Sequence, residues 1–250
     1  MQYVAVSALS HDGLLRDHNE DSLVAGPWTL CSVVTPSPQT FYFTTAVPVV
    51  VAVADGLGGH PAGEEASALV VRRLAQLGPQ LIDPAAIRDA LDDCNAAVYA
   101  DARRDRARTG MGSTVAGVVV TEAAVHVFNV GDSRVYAVED GALALLTVDD
   151  NQAPAPGQRR SSVVTQTLGG SLDMDPVEPH VASRPTSENT RYLVCSDGLT
   201  DAVEEATIAG ILAEHEGGRA VFELWKATID AGAPDNITVA LVEPVGGDQD

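Results

Sequence analysis

Val47-Pro48-Val49-Val50-Val51-Ala52-Val53-Ala54-Asp55-Gly56-Leu57-Gly58-Gly59-His60 is an apolar, β-branched run that stops on an acid and a cluster of glycines. A run without polar alternation suits a strand buried on both faces, here ending at Asp55. Beyond it the period changes. Ala66, Leu69, Val70, Leu74 and Leu77 fall at helical spacing, with Glu64 and Glu65 in the first turn, where they suit the helix dipole. Gly78-Pro79 stops that helix. Asp83-Pro84 opens another, with Asp as N-cap and Pro at the first helical position. Ile87, Leu91, Cys94, Ala97 and Val98 line one face of it.

Outward from this strand and helix pair the pattern is mostly extended. Residues 4–9 read as a strand. Residues 113–146 read as three or four strands separated by short turns at Glu122-Ala123 and Glu139-Asp140-Gly141, the signature of an antiparallel meander. Residues 149–162 are polar, with Pro154, Pro156 and Gly157, and read as a loop. A strand over 191–195, helices over 202–215 and 219–231 with Gly232 as a stop, and a strand over 237–242 complete the order. This is not a βαβ alternation. It predicts an α+β fold in which antiparallel sheets are covered by antiparallel helix pairs. Residues 1–245 are expected to form one domain and 246–250 a short flexible tail.

Composition narrows the function. The chain has 250 residues, 45% of them hydrophobic, so a sizeable core can be buried. Only 4% are aromatic, too few for a base-stacking platform. A formal net charge of -20 argues against nucleic acid and against an anionic membrane surface. Cys31, Cys94 and Cys195 form no paired spacing, which favours a reducing cytosol. None is followed by Arg six positions on, so a thiolate phosphatase loop of that kind is absent. The first ten residues do not read as a signal peptide, and no apolar run is long enough to span a membrane.

Five acidic clusters stand at the ends of strand-like runs: Asn19-Glu20-Asp21, Asp55-Gly56, Gly131-Asp132-Ser133, Ser196-Asp197-Gly198 and Asp235-Asn236. Each alone is an ordinary turn. Together they suggest a carboxylate cage, since Asp and Glu oxygens suit hard cations such as Mg²⁺ and Mn²⁺. Glycine at 56 and 198 lets backbone approach closely, so that the Gly56 carbonyl could join a metal shell. Arg16, three residues before Asn19, could clamp a phosphate through its two-pronged fork, or could form a surface salt bridge. Arg134 could pair with Asp132. His60 could donate a proton, but a histidine at a helix start is more often a capping or packing residue.

These pieces, in this order, resemble the metal-dependent serine/threonine protein phosphatases of type 2C. The matching segments are Gly13-Leu14-Leu15-Arg16-Asp17-His18-Asn19-Glu20-Asp21, Val53 to His60, Gly112-Ser113-Thr114, Val130-Gly131-Asp132-Ser133-Arg134, Ser196-Asp197-Gly198-Leu199 and Asp235-Asn236-Ile237-Thr238. The resemblance implies a four-layer α-β-β-α sandwich, two antiparallel sheets flanked by antiparallel helix pairs, and two central Mn²⁺ or Mg²⁺ ions bridged by Asp55, with the Gly56 carbonyl as a further ligand, Asp197 and Asp235 completing one ion's shell, and Glu20 and Asp21 holding the other largely through waters. It implies a weaker third site at Asp132 and Asp197, phosphate held by Arg16, and supporting roles for Asn236 and Gly198. The implied activity is hydrolysis of phosphoserine and phosphothreonine in proteins by a metal-bridging water, opposing a Ser/Thr kinase, in a cytoplasmic monomer. The rivals are a non-catalytic binding module on the same fold and a hydrolase of another phosphate ester.

The chain departs from the family pattern in three places. Leu57 stands where eukaryotic relatives carry a histidine, which excludes a side-chain acid there. Thr147-Val148-Asp149-Asp150-Asn151 lacks the histidine of the usual Thr-x-Asp-His-Ser segment. The loop after it looks short, and Gln166 replaces a frequent Arg. A more open cleft with altered substrate choice is the expectation. Residues 26–46, with Trp28, Phe41, Tyr42 and Phe43, look extended. They are expected either to form a partner-binding β-hairpin or to cover a sheet edge with their aromatics.

Overall fold

The computed structural model describes residues 3–57, 62–153 and 163–245. In chain order the elements are β1 (Tyr3–His11), β2 (Asp21–Ala25), β3 (Trp28–Cys31), β4 (Gln39–Thr44), β5 (Val49–Asp55), α1 (Gly63–Leu77), α2 (Pro84–Ala102), β6 (Gly112–Ser113), β7 (Val115–Val120), β8 (Ala124–Val130), β9 (Arg134–Glu139), β10 (Ala142–Leu145), β11 (Leu168–Gly169), β12 (His180–Pro185), β13 (Arg191–Cys195), α3 (Asp197–Ala202), α4 (Glu205–Glu214), α5 (Gly217–Asp230) and β14 (Ile237–Val245). Two six-stranded sheets have the orders β10-β9-β13-β14-β1-β4 and β12-β8-β7-β5-β2-β3. Neighbours in both are antiparallel.

Strand β5 explains why its sequence lacks alternation. Val49, Val51 and Val53 point into the core between the sheets, while Val50, Ala52 and Ala54 point into a second core beneath α1 and α2. Both faces are buried, so both demand apolar side chains, and each fully buried Val contributes about 1.5–3 kcal/mol. Strand β14 does the same on the other side. Ala240 and Val242 enter the shared core, and Val239 and Leu241 enter a third core with α3, α4 and α5. Helices therefore cover the outer face of each sheet, and Val and Ala close the space between the sheets.

Asp83 caps α2 as its sequence predicts, accepting a hydrogen bond from Ala86 N at 2.9 Å. Asp83→Ala is expected to cost about 1 kcal/mol in a denaturant titration, within the usual range for a lost N-cap. An unchanged midpoint would mean that the cap contributes nothing here.

Three expectations need correction. The strands of 113–146 are not one meander. β7 and β8 lie in one sheet, β9 and β10 in the other, so Gly131-Asp132-Ser133 is a crossing between sheets and not a hairpin turn. Residues 26–46 are not a hairpin either. β3 pairs with β2 and β4 pairs with β1, so the segment supplies the last strand of each sheet. Phe41 and Phe43 pack on the shared core, Trp28 stacks on Phe41 with ring centroids 6.0 Å apart, and Tyr42 is left exposed. Finally, β11, β12 and the short α3 were not legible. β12 is largely exposed and breaks no apolar pattern. The expected tail at 246–250 lies outside the described residues.

Candidate metal centre

Antiparallel pairing gathers the acids at one end of the sandwich. Asp55 is the last residue of β5, and Asp21, the first of β2, is its direct cross-strand partner. Asp132 sits on the crossing between β8 and β9. Asp197 begins α3 immediately after β13, and Asp235 lies two residues before β14. Where one strand ends its antiparallel neighbour begins, so acids far apart in sequence become neighbours in space.

Hydrogen bonds lock these ends to one another. Ser196 Oγ donates to Asp21 Oδ2 at 2.7 Å and accepts from Thr238 N at 3.0 Å. Asn236 Oδ1 accepts from Glu20 N at 2.9 Å, while its Nδ2 donates to the carbonyls of Asp12 and His18 at 3.0 and 2.9 Å. Asp55 O accepts from Thr114 N at 2.9 Å and from Ser113 Oγ at 3.0 Å. Thr114 Oγ1 meets Ser133 Oγ at 2.8 Å, which ties Asp55 to the Asp132 crossing.

Two glycines are required by close approach. A Cβ at Gly56 would stand 2.3 Å from Gly63 O, and one at Gly198 would stand 1.9 Å from Asn236 O. Both are backbone contacts that cannot yield, so no side chain fits at either position.

The electrostatics are those of crowded like charges. Asp55 is held well above the ordinary carboxylate range, first by burial and then by the charges of Asp21, Asp197, Asp235 and Asp132. Asp197 is raised likewise by burial, then by Asp132, Asp235, Asp201 and Asp21. Burial pushes Asp21 up to about 6, against hydrogen bonds from Ser196 and Thr238. Burial also raises Asp132, against a hydrogen bond from Asn151. Asp21 Oδ1 and Asp197 Oδ1 are buried with no hydrogen-bond partner. Among the described residues no three Asp, Glu, His or Cys side chains already close on one point. Buried, mutually repelling carboxylates with unpartnered oxygens still fit a hard divalent cation, whose charge relieves both costs.

The remaining predicted residues lie around this cluster. Arg16 Nη2 donates to Asp235 Oδ2 at 2.7 Å and is partly exposed, and the charges of Glu20 and Asp55 also raise its pKa. Glu20 is buried, with Oε1 3.4 Å from His18 Nε2. Gly58, Gly59, His60 and loop residues 154–162 lie outside the described residues.

Arg134 turns away from Asp132 and grips Asp149 instead, with Nε 2.9 Å from Oδ1. Nη1 donates to Tyr136 Oη at 3.0 Å, and that hydroxyl donates to Glu205 Oε1 at 3.0 Å. Asp150 takes the place of the missing histidine with the opposite chemistry. Its Oδ2 accepts from Gly131 N at 2.8 Å and from Gln166 Nε2 at 2.9 Å, and its Oδ1 meets His180 Nε2 at 2.8 Å. Asn151, Asp201 and this Asp150 cluster escaped sequence reasoning. Their partners are scattered from 131 to 197 with no recurring spacing.

A family model for protein phosphatase 2C matches residues 40–241. The serine/threonine protein phosphatase PstP of Mycobacterium tuberculosis is 32% identical over 97% of this chain, which spans only 45% of that protein's length. The serine/threonine phosphatase stp of Listeria monocytogenes is 30% identical, with 92% of each chain covered. Among solved structures, the M. tuberculosis phosphatase PstP superposes with a TM-score of 0.81 at 30% identity, covering 98% of this chain and all of that one. A structure of the PstP catalytic domain in complex with two manganese ions gives 0.79 at 30% identity, with 98% of this chain and 100% of that one covered. Fold, motifs and matched length agree, and the chain belongs to the protein phosphatase 2C family.

Proposed function

We propose that this protein is a metal-dependent protein-serine/threonine phosphatase. The observation that carries the reading is the meeting of Asp21, Asp55, Asp132, Asp197 and Asp235 at one end of the sandwich, with two buried carboxylate oxygens left unpartnered. Mn²⁺ or Mg²⁺ held there would supply an activated water and positive charge for phosphoryl transfer. Asp55 would serve both central ions, with the Gly56 carbonyl as a further ligand; Asp197 and Asp235 would complete one shell, Glu20 and Asp21 would hold the other ion, and Asp132 with Asp197 a weaker third. Asn236 and Gly198 keep the carriers of these ligands packed together. Arg16 binds the substrate phosphate through its guanidinium fork and orients the phosphorus toward the acids. Leu57 offers no proton, so this chain supplies no side-chain acid to the leaving alkoxide at that position.

The two sheets bury one shared core, which supports residues 1–245 acting as a single catalytic domain. Phosphorylated proteins are the substrates and a Ser/Thr kinase the opposing enzyme. Cys31, Cys94 and Cys195 form no disulfide among the described residues, which favours a cytoplasmic setting. Among the described residues no helix is long and apolar enough to cross a membrane. A phosphothreonine peptide should be hydrolysed with Mn²⁺, not at all in EDTA, and again when Mn²⁺ is restored. A rate indifferent to EDTA overturns the metal. Nucleotides cleaved faster than phosphopeptides overturn the substrate class.

A further inference from the structure

We propose that two copies of this chain associate through β4, edge to edge, in an antiparallel pairing whose two-fold axis passes beside Tyr42. This inference is independent of the phosphatase reading, because β4 contributes nothing to the metal centre.

An edge strand exposes unpaired backbone donors and acceptors, and proteins normally blunt it with charge, proline, a bulge, brevity or a covering element. Three of the four edge strands of the two six-stranded sheets follow that rule. β10 has four residues. β3 also has four. β12 carries His180, Arg184 and Pro185. β4 is six residues long, pairs only with β1, and contains neither charge nor proline. No Asp, Glu, Lys, Arg or His stands anywhere between Asp21 and Asp55, in a chain whose net charge is -20.

The strand is also a palindrome. Thr40-Phe41-Tyr42-Phe43-Thr44 reads the same in both directions. Antiparallel pairing about Tyr42 sets Thr40 opposite Thr44 of the second copy, Phe41 opposite Phe43, and Tyr42 opposite Tyr42. Every cross-strand pair is then Thr–Thr or aromatic–aromatic, the kinds that stabilise antiparallel sheets. The faces agree as well. Phe41 and Phe43 lean on the core between the sheets, so their pairing would continue that core from one copy to the next. Tyr42, 69% exposed, would be covered on the outer face. A two-fold interface uses the same patch on both partners, and a palindromic strand meets that condition along its whole length.

The palindrome, not charge, selects a second copy over a basic partner strand. Two bodies of charge -20 repel, and a neutral edge is where they approach at least cost. Salt screens that repulsion and leaves neutral strand pairing untouched, so association of copies strengthens with salt, whereas capture of a basic segment weakens. Such pairing departs from the monomer expected from sequence.

The test is sedimentation equilibrium from low micromolar to the highest soluble concentration, at low and high NaCl. The native chain should reach twice the single-chain mass, at lower concentration in high salt. Tyr42→Lys and Tyr42→Asp each place like charges face to face and should stay at the single-chain mass with unchanged melting temperature. An equimolar mixture of the two should regain the doubled mass. A native chain that never exceeds its own mass overturns the proposal and leaves the edge to a strand from another protein. Variants that still double place the contact elsewhere. A mixture that stays single overturns the pairing about Tyr42.

Discussion

Asp55→Asn lowers turnover of a phosphothreonine peptide by roughly a thousandfold or more, a loss of about 4 kcal/mol of transition-state stabilisation. The same substitution raises the melting temperature of the metal-free protein at neutral pH. The two effects share one cause. Asp55 ends a buried strand opposite Asp21 and feels Asp197, Asp235 and Asp132, so its ionised form is the one the bare fold disfavours. The sign follows from linkage. A carboxyl raised above its unfolded value contributes stability that is complete below about pH 4 and is lost as pH rises through the folded value. Asp21, pushed up to about 6, and Asp55 and Asp197, both held well above the ordinary carboxylate range, therefore burden the chelated protein at neutral pH. Asparagine keeps the shape and deletes the charge. Melting curves in EDTA at pH 7.5 and at pH 5, with and without the substitution, check this. The variant's advantage should shrink at the lower pH, and Mn²⁺ should raise the native melting temperature more than the variant's. A variant with native turnover, or one that melts lower in EDTA at pH 7.5, would sink the account.

Arg134→Leu destabilises the fold by about 3 kcal/mol, or ~6–12 °C in melting temperature. The side chain of Arg134 is 8% exposed and holds Asp149, Tyr136 and Glu205 together. Removing it strands the Asp149 charge and the Tyr136 hydroxyl in a confined space. Asp149 retains some solvent, which is why the estimate sits at the low end for a broken buried pair. Asp149 is also the anchor of the segment whose Asp150 holds Gly131 and whose Asn151 bonds Asp132. Activity should therefore fall together with stability. The double variant Arg134→Leu, Asp149→Leu should recover part of the stability. A single variant within 0.5 kcal/mol of native in a denaturant titration, roughly the scatter of an ordinary surface change, would show the network to be decorative.

Local order was well legible. β5, the α1 stop at Gly78, the Asp83 cap and β13 lie where periodicity and capping chemistry place them. These features depend on residues within a few positions of one another. The β8–β9 link reads in sequence as a hairpin turn because Gly131-Asp132-Ser133 has turn composition whether the chain folds back or crosses over. Residues 26–46 invite a hairpin for the same reason, two β-rich stretches around a Pro-rich turn. Which sheet each strand joins is settled by β1 and β2, which already occupy the neighbouring positions.

The order of acids and glycines along the chain, the buried strands that end on them and the scarcity of basic side chains are properties of the sequence itself. They bound the chemistry to oxygen ligands and a hard cation before any coordinates are considered. Only the tertiary structure decided which acids face one another, that Arg134 serves Asp149, and that Asp150 answers to His180. A carboxyl's proton affinity and a strand's partner depend on groups tens to hundreds of residues away, and no local periodicity encodes a distance across the sheet.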